Sequence, residues 1–305
     1  MKHLKSALKI ILVGVIFYFL FRNLLANWNE FEKMGPHFNF LHAALAFLAV
    51  MAAWVMSAWC WGRVLNAFGH QVPYRDVFII YFKANLGKYL PGKIWQIVGS
   101  AYFAADKGIP EGVSITTSLI GQAYSVLSGI SLFAASLLSG LISFGDDLSL
   151  MSRWSAVPVL IILLLVAIRP DLGQPLMNWA MKLIKRQQVR IRLPIARAVE
   201  LFFLYLICWF IFGFGLWLFS NALTPVEIQL YIPMTAILAA AVAIGFLALF
   251  APGGLGVREG VIALFLASVP GFPAPLPAAV AVGYRIIMTI AELIAFGLTW
   301  VIKWI

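Results

Sequence analysis

Residues 230–270 read LYIPMTAILAAAVAIGFLALFAPGGLGVREGVIALFLASVP, an apolar stretch long enough to enter a lipid bilayer. A Pro-Gly-Gly turn at 252–254 interrupts it, and the charged pair Arg258 and Glu259 follows. Proline removes a backbone donor and glycine tolerates non-helical dihedral angles, so this turn predicts a broken helix. Broken backbone is tolerated at membrane depth only where protein or a wet cavity satisfies its polar groups. The stretch therefore predicts a helical hairpin that enters the bilayer and returns.

A second apolar stretch is broken in the same way. Residues 74–107 read YRDVFIIYFKANLGKYLPGKIWQIVGSAYFAADK, with polar residues and a Pro-Gly pair near the middle. The interrupting residues are Lys83, Asn85, Gly87, Lys88, Pro91 and Gly92. This stretch predicts a second re-entrant hairpin.

The composition excludes a soluble globular domain. Of the 305 residues, 63% are hydrophobic and 11% are charged, whereas roughly a quarter of a soluble domain is charged. The apolar windows suit helices of about 20 residues and lack the alternation of a transmembrane barrel. The fold class is therefore all-α, a polytopic membrane protein in a single transmembrane domain, 1–305. The six ordinary spans are predicted at 7–25, 40–61, 113–141, 155–169, 198–221 and 276–302.

The loop charges predict the topology. The linker 169–197 carries seven Lys or Arg residues against the single acid Asp171, and the first nine residues carry three lysines. Lys and Arg favour the cytoplasmic side, so both termini and this linker are predicted to be cytoplasmic at the inner membrane. The loop 142–154, with two aspartates and one arginine, is then outside. The formal net charge of +10 comes from basic residues that lie beside apolar runs. This arrangement favours binding to anionic lipid headgroups over binding to nucleic acid.

The order of the segments predicts an inverted repeat. Each half contains two spans, a broken hairpin and a further span, and the halves, about 1–144 and 153–305, start on opposite sides of the membrane. Paired interrupted segments in two inverted halves indicate a binding site near the midplane of a transporter. The alternative is that the hairpins only pack as plugs within a helical bundle.

Charges inside these segments identify a candidate site. Ionisable residues in membrane segments are rare and usually mark a substrate path. Five cations against two carboxylates predict a positive cavity that binds an anion: Lys83, Lys88, Lys93, Arg258 and Arg285 against Glu259 and Glu292. Alternatively, the lysines extend to headgroups, and Arg258 and Glu259 neutralise each other. Arg285 and Glu292 are seven residues apart on one helix, so each is expected to pair with a hairpin instead.

The glycines and tryptophans add two expectations. The helix that follows each Pro-Gly break offers free N–H groups to phosphate, and Gly253, Gly254 and Gly256 would let a headgroup approach the backbone. The tryptophans are interpreted as interfacial belts rather than as a cage around a ligand. These are Trp54, Trp59, Trp61, Trp95, Trp209, Trp217, Trp300 and Trp304.

Two segments carry a family resemblance. Residues 85–96 (NLGKYLPGKIWQ) and 251–260 (APGGLGVREG) resemble the two signature segments of the lysylphosphatidylglycerol synthase transmembrane region, also called the flippase-like domain family. Larger members of that family join this region to an aminoacyltransferase domain, which these 305 residues do not resemble. The resemblance therefore implies a translocator of lipids or lipid-linked headgroups without the aminoacylation activity.

The leading hypothesis is a translocator of an anionic or phosphate-bearing lipid headgroup. The candidate substrate-binding residues are Lys83, Asn85, Lys88, Pro91, Gly92, Lys93, Gln96, Pro252, Gly253, Gly254, Gly256, Arg258, Glu259, Arg285 and Glu292. No catalytic, metal or cofactor motif is present, so no enzymatic activity is expected. The expected partners are membrane lipids, chiefly anionic phospholipid, and a separate lipid-modifying enzyme. The alternative is a non-transporting subunit that presents lipid to such an enzyme and docks through an amphipathic helix in 174–197.

Overall fold

The computed structural model describes residues 38–90, 94–142, 145–183, 190–248, 251–269 and 272–304, and these residues contain α- and 3₁₀-helices but no strand. The all-α prediction is therefore confirmed. The α-helices are α1 (Phe40–Ala67), α2 (Tyr74–Asn85), α3 (Trp95–Ala105), α4 (Glu111–Leu138), α5 (Gly145–Ile168), α6 (Gln174–Leu183), α7 (Ile195–Leu223), α8 (Tyr231–Leu247), α9 (Val257–Leu266) and α10 (Leu276–Trp304).

Five of the six predicted spans correspond to helices α1, α4, α5, α7 and α10, whereas the span at 7–25 lies outside the described residues. The predicted span 155–169 agrees with the apolar segment Trp154–Ile168, but the helix that contains it is longer. Helix α5 begins at Gly145, so most of the predicted loop 142–154 is helical.

The two hairpins differ in length. Helices α2, α3 and α9 have 12, 11 and 10 residues, so at about 1.5 Å per residue each is shorter than a hydrocarbon core of about 30 Å. Helix α8 and the 3₁₀ turn before it form an apolar stretch of 20 residues that is long enough to cross a membrane. In the described part of the chain, five helices meet that criterion, or six if the segments on either side of the 97° bend after Ile168 count as one span. The number of spans and the inverted repeat stay predictions.

Proline and glycine set several helix boundaries. Pro73, Pro110 and Pro194 immediately precede α2, α4 and α7, where a missing N–H leaves no helical hydrogen bond unmade. Gly69 and Gly108 have positive φ angles of 84° and 72° just after α1 and α3. A left-handed residue ends a helix, and glycine adopts that conformation without strain.

Helices α1 and α7 form the centre of the bundle. They pack along each other more extensively than any other pair of described helices. The Trp54 and Phe212 rings meet edge to face at 5.2 Å, and the Cys60 and Cys208 sulfur atoms lie 3.5 Å apart. Helix α10 packs on α1, and the two hairpins surround this centre.

A described turn of each hairpin touches the other. Helices α2 and α3 pack together, as do α8 and α9, and the 3₁₀ turn Leu86–Tyr89 contacts the turn Pro252–Gly254. An ideal Cβ built on Gly87 would lie 2.6 Å from the Gln96 backbone nitrogen, so the close approach of the first hairpin's arms requires glycine there. The fold thus places both broken segments at one locus.

The linker contains the predicted amphipathic helix in part. Helix α6 covers Gln174–Leu183, and residues 184–189 lie outside the described part. Leu176 and Trp179 are exposed on α6, whereas Met181 is buried. An exposed apolar face beside basic residues is typical of a helix at a membrane surface.

Single-cysteine labelling tests the topology. Leu141→Cys is expected to react with an impermeant maleimide from the outer face, and Arg192→Cys only after the inner face is opened. Both positions are exposed, and the native Cys60 and Cys208 are buried and give a low background. The reverse labelling pattern would contradict the charge-based topology.

Candidate functional site

Glu292 of α10 accepts hydrogen bonds from the first hairpin. Its side chain is 1% exposed, and the Lys88 Nζ atom lies 2.7 Å from Oε1. The Asn85 amide donates to Oε1 at 2.5 Å, and the Tyr89 hydroxyl donates to Oε2 at 2.8 Å. The expectation that Glu292 pairs across to a hairpin, rather than with Arg285, is confirmed. The ion pair compensates a lysine that is itself only 13% exposed.

Two further contacts order this turn. The Gln96 amide of α3 donates to Asn85 Oδ1 at 2.8 Å, which links the two arms of the first hairpin. The Lys88 ammonium also lies 4.4 Å from the centroid of the Trp54 ring. Lys88 is therefore held by a carboxylate and by an aromatic face.

Arg285 of α10 binds the second hairpin. Its Nε atom lies 3.3 Å from Glu259 Oε1, and its Nη2 atom donates to the Gly253 carbonyl oxygen at 3.1 Å. Glu259 is 1% exposed. The expectation that Arg285 pairs with a hairpin is confirmed, and the alternative in which Arg258 and Glu259 neutralise each other is wrong, because Glu259 pairs with Arg285. Adjacent residues on a helix do not face each other.

The second turn is non-helical, as predicted. Gly253, Gly254 and Gly256 have φ angles of 59°, 70° and 80°. The space beside two of these glycines is occupied by protein, contrary to the expectation that a headgroup would approach there. A Cβ on Gly254 would lie 2.6 Å from Arg258 Nε, and a Cβ on Gly253 would lie 3.1 Å from the Tyr89 ring. The glycines make room for these side chains.

Arg258 extends along α8 into the interior. A Cβ on Gly245 would lie 2.4 Å from Arg258 Cγ, so α8 also has a glycine where the arginine stem passes. The Arg258 Nε atom is buried without a hydrogen-bond partner, and none of the described carboxylates lies within ion-pair distance of the guanidinium. Arg258, Lys88 and Arg285 therefore face only two nearby carboxylates. One positive charge in the described cluster is uncompensated.

Arg258 lines a cavity of about 170 Å³ between the hairpins and the central helices. Its wall combines hydroxyl, amide and aromatic side chains with two cations, and no described Asp or Glu lines it. The polar and aromatic residues of the wall are Trp54, Ser57, Trp61, Tyr81, Asn85, Lys88, Gln96, Ser100, Ser118, Gln122, Ser125, Tyr205, Trp209, Phe212, Phe246 and Arg258. Such a wall fits a polar anionic group inside a membrane bundle.

A comparison with protein families identifies the chain. The family model described as the lysylphosphatidylglycerol synthase TM region matches residues 6–295. The chain belongs to this family. No curated protein sequence matches it. Together with the apolar helices, membership identifies a multi-pass membrane protein of lipid metabolism or translocation that contacts membrane lipids.

Within this family region, the predicted site residues other than Lys83 fall into three groups. Asn85, Lys88, Gln96 and Arg258 line the cavity. Seven residues belong to the second turn, to α9 and its start, or to α10, beside the cavity: Pro252, Gly253, Gly254, Gly256, Glu259, Arg285 and Glu292. The first break, Pro91, Gly92 and Lys93, lies outside the described residues.

Lys83 does not line the cavity. Its Nζ atom lies 5.7 Å from the ring centroids of Phe103 and Trp300. Lys83 is five residues before Lys88, so on a helix the two side chains point in different directions. The structure therefore does not bring Lys83 into the site.

Several lining residues escaped the sequence-based prediction. Ser118, Gln122 and Ser125 of α4 line the cavity, as does Ser57 of α1. Their spacing of three and four residues places the α4 side chains on one face, which was the available signal. A serine hydroxyl in an apolar segment commonly bonds a carbonyl of its own helix, so a single serine does not indicate a cavity.

The belt interpretation is wrong for three tryptophans. Trp54, Trp61 and Trp209 are 9%, 4% and 5% exposed and line the cavity. Trp59 and Trp300 are exposed, as a belt position requires. Trp54 and Trp61 are seven residues apart on α1 and share a face, whereas Trp59 lies on another.

Among the described residues, no group of three or more His, Cys, Asp or Glu side chains could hold a metal ion.

Proposed function

We propose that this protein translocates a lipid with an anionic or phosphate-bearing headgroup between the leaflets of the inner membrane, without a chemical step. The single observation that carries the proposal is the buried Arg258 Nε atom without a partner at the wall of a polar cavity. Most buried polar groups have a hydrogen-bond partner, and a buried cation normally has a counter-charge. A bound headgroup phosphate supplies both.

The carboxylates define how the cavity holds an anion. Glu292 forms an ion pair with Lys88, and Glu259 forms one with Arg285, whereas no described carboxylate lies within ion-pair distance of Arg258. Arg258 and Lys88 replace the water that a phosphate gives up on entering the membrane. The acyl chains stay in lipid while the headgroup passes between the turns Leu86–Tyr89 and Pro252–Gly254, which touch.

Movement across the bilayer requires the cavity to open to each side in turn. The two hairpins meet through short turns, Leu86–Tyr89 against Pro252–Gly254. Each turn also has a hydrogen bond with one side chain of α10, because Tyr89 donates to Glu292 and Gly253 accepts from Arg285. Small shifts of such turns are the kind of gating that broken helices provide in transporters. Both termini are cytoplasmic in this proposal.

The decisive experiment is a flipping assay with Arg258→Gln. The purified protein is reconstituted into vesicles with fluorescent phosphatidylglycerol, and dithionite reports lipid that reaches the outer leaflet. The variant is expected to lower the flipping rate by more than ~10-fold, equivalent to about 1.4 kcal/mol. Arg192→Gln, an exposed change in the linker with the same loss of charge, is expected to flip lipid at the wild-type rate.

Two results would oppose the proposal. Wild-type flipping by Arg258→Gln would remove Arg258 from the lipid path. Lipid binding without flipping by the wild-type protein would favour the non-transporting subunit. The exposed Leu176 and Trp179 of α6 are the observation behind that alternative, because they offer an apolar surface beside the cytoplasmic linker.

A further inference from the structure

The cavity wall has a chemical asymmetry. It contains the cations Arg258 and Lys88, and no carboxylate lines it among the described residues. Both oxygens of the nearby Glu292 accept bonds from the first hairpin, and Glu259 is paired with Arg285. A positively charged amine that entered the cavity would face like charges without a counter-ion, which makes its desolvation costly.

The Trp54 ring of the cavity wall is not free to stabilise the amine of a lipid headgroup. The Lys88 ammonium already lies 4.4 Å from the Trp54 ring centroid and 5.2 Å from that of Tyr89. Trp209 uses its indole N–H to bind the Ser125 carbonyl oxygen at 2.9 Å. The cation–π position at Trp54 is therefore filled by the protein's own lysine.

Other groups on the wall suit hydroxyls. The side chains of Gln122 and Ser125 line the cavity without a hydrogen bond to any described residue. The Trp61 indole nitrogen is buried without a partner. The Ser57 hydroxyl also lines the cavity and donates to the Ala53 carbonyl at 2.8 Å. Neutral donors and acceptors of this kind match the hydroxyls of a polyol.

The cavity of about 170 Å³ has room for a phosphate that carries a three-carbon polyol.

We infer that the cavity selects a lipid headgroup with a phosphate and free hydroxyls but no amine, such as phosphatidylglycerol, and rejects its lysylated form. The inference rests on the proposed function for the site and names its substrate class. The inferred substrate also differs from lysylphosphatidylglycerol, the lipid that the description of the family names. The selection follows from an uncompensated arginine, the missing wall carboxylate and the unpaired amide and hydroxyl groups.

Binding of short-chain lipids tests the inference directly. Dihexanoyl phosphatidylglycerol is expected to raise the thermal unfolding midpoint of the detergent-purified protein. The concentration needed is expected to be at least ~10-fold lower than that of any of three probe lipids for the same rise. The probes are dihexanoyl phosphatidylethanolamine, lysyl-phosphatidylglycerol and phosphatidic acid. Stabilisation by an amine-bearing probe that equals that by phosphatidylglycerol overturns the inference, and so does equal stabilisation by phosphatidic acid, which lacks the polyol.

Two variants sharpen the test. Gln122→Glu adds a carboxylate to the wall and is expected to reduce the preference for phosphatidylglycerol over phosphatidylethanolamine by more than ~10-fold. Ser125→Ala removes one hydroxyl and is expected to reduce the difference in stabilisation between phosphatidylglycerol and phosphatidic acid. An unchanged preference in both variants overturns the inference, and Ser125→Ala keeps the test available if Gln122→Glu does not fold.

The flipping assay separates this inference from the proposed function. Selective binding without flipping supports the headgroup inference and contradicts transport. Flipping of all four lipids at one rate supports transport and overturns the headgroup inference.

Discussion

Glu292→Gln is expected to lower the free energy of unfolding by about 3–5 kcal/mol, because it leaves the Lys88 ammonium buried without a counter-charge. Lys88 and Glu292 are 13% and 1% exposed, and their atoms lie 2.7 Å apart. Glutamine keeps the shape and one acceptor for Asn85 and Tyr89, so the loss reports the charge. Thermal or denaturant unfolding of the purified protein in detergent measures the change.

A double variant identifies the cause. Lys88→Met added to Glu292→Gln removes the unpaired charge and is expected to recover most of the lost stability, since removing both partners of a buried pair costs less than removing one. Glu227→Gln is the matched control, because Glu227 is exposed, and it is expected to change stability by less than ~0.5 kcal/mol. Equal stability of Glu292→Gln and the wild-type protein would show that Lys88 is solvated in the folded protein.

The sequence predicted the breaks and the pairing because both follow from local rules. Pro-Gly pairs within apolar stretches mark non-helical backbone, and Gly253 and Gly254 have the positive φ angles that glycine permits. Arg285 and Glu292 are two turns apart and cannot easily reach each other, so each was expected to pair with a hairpin. The contacts with Glu259 and Lys88 agree.

The cavity wall could not be predicted to the same extent. Which side of α4 faces the interior depends on its packing against α3, α7 and α8, and sequence spacing alone does not choose between the cavity and the lipid. Ser118 and Gln122 therefore looked like isolated polar residues. Trp54 and Trp61 were interpreted as belt residues because a window of hydropathy locates a residue along a helix and not around it.

The glycines of the second turn show another limit of prediction from the sequence. Their conformational role was predictable from the sequence, whereas the neighbour that fills the space was not. Arg258 lies against Gly245 and Gly254, which belong to either side of the break, only because α9 folds back on α8. A tertiary contact of this kind leaves no periodic pattern in the sequence.

Gly87→Ala and Gly254→Ala are expected to abolish flipping with similar severity. A Cβ on Gly87 would lie 2.6 Å from backbone atoms of Trp95 and Gln96, so the arms of the first hairpin must separate. A Cβ on Gly254 would lie 2.6 Å from Arg258 Nε at a φ of 70°, a conformation that costs an alanine about 1–2 kcal/mol. The guanidinium would then leave its place at the cavity. Initial flipping rates in vesicles with matched protein content measure both effects.

Gly297→Ala is the control for these two variants, because no atom lies within 4 Å of its ideal Cβ and the position is helical. It is expected to retain the wild-type flipping rate and to fold at least as well, since alanine favours a helix over glycine by about 1 kcal/mol. The comparison between Gly87→Ala and Gly254→Ala carries the argument, because the turns that contain them contact each other. Both hairpins form one site if both variants lose transport. Full transport by either variant would show that its hairpin only packs as a plug, and the site would then belong to the other hairpin alone.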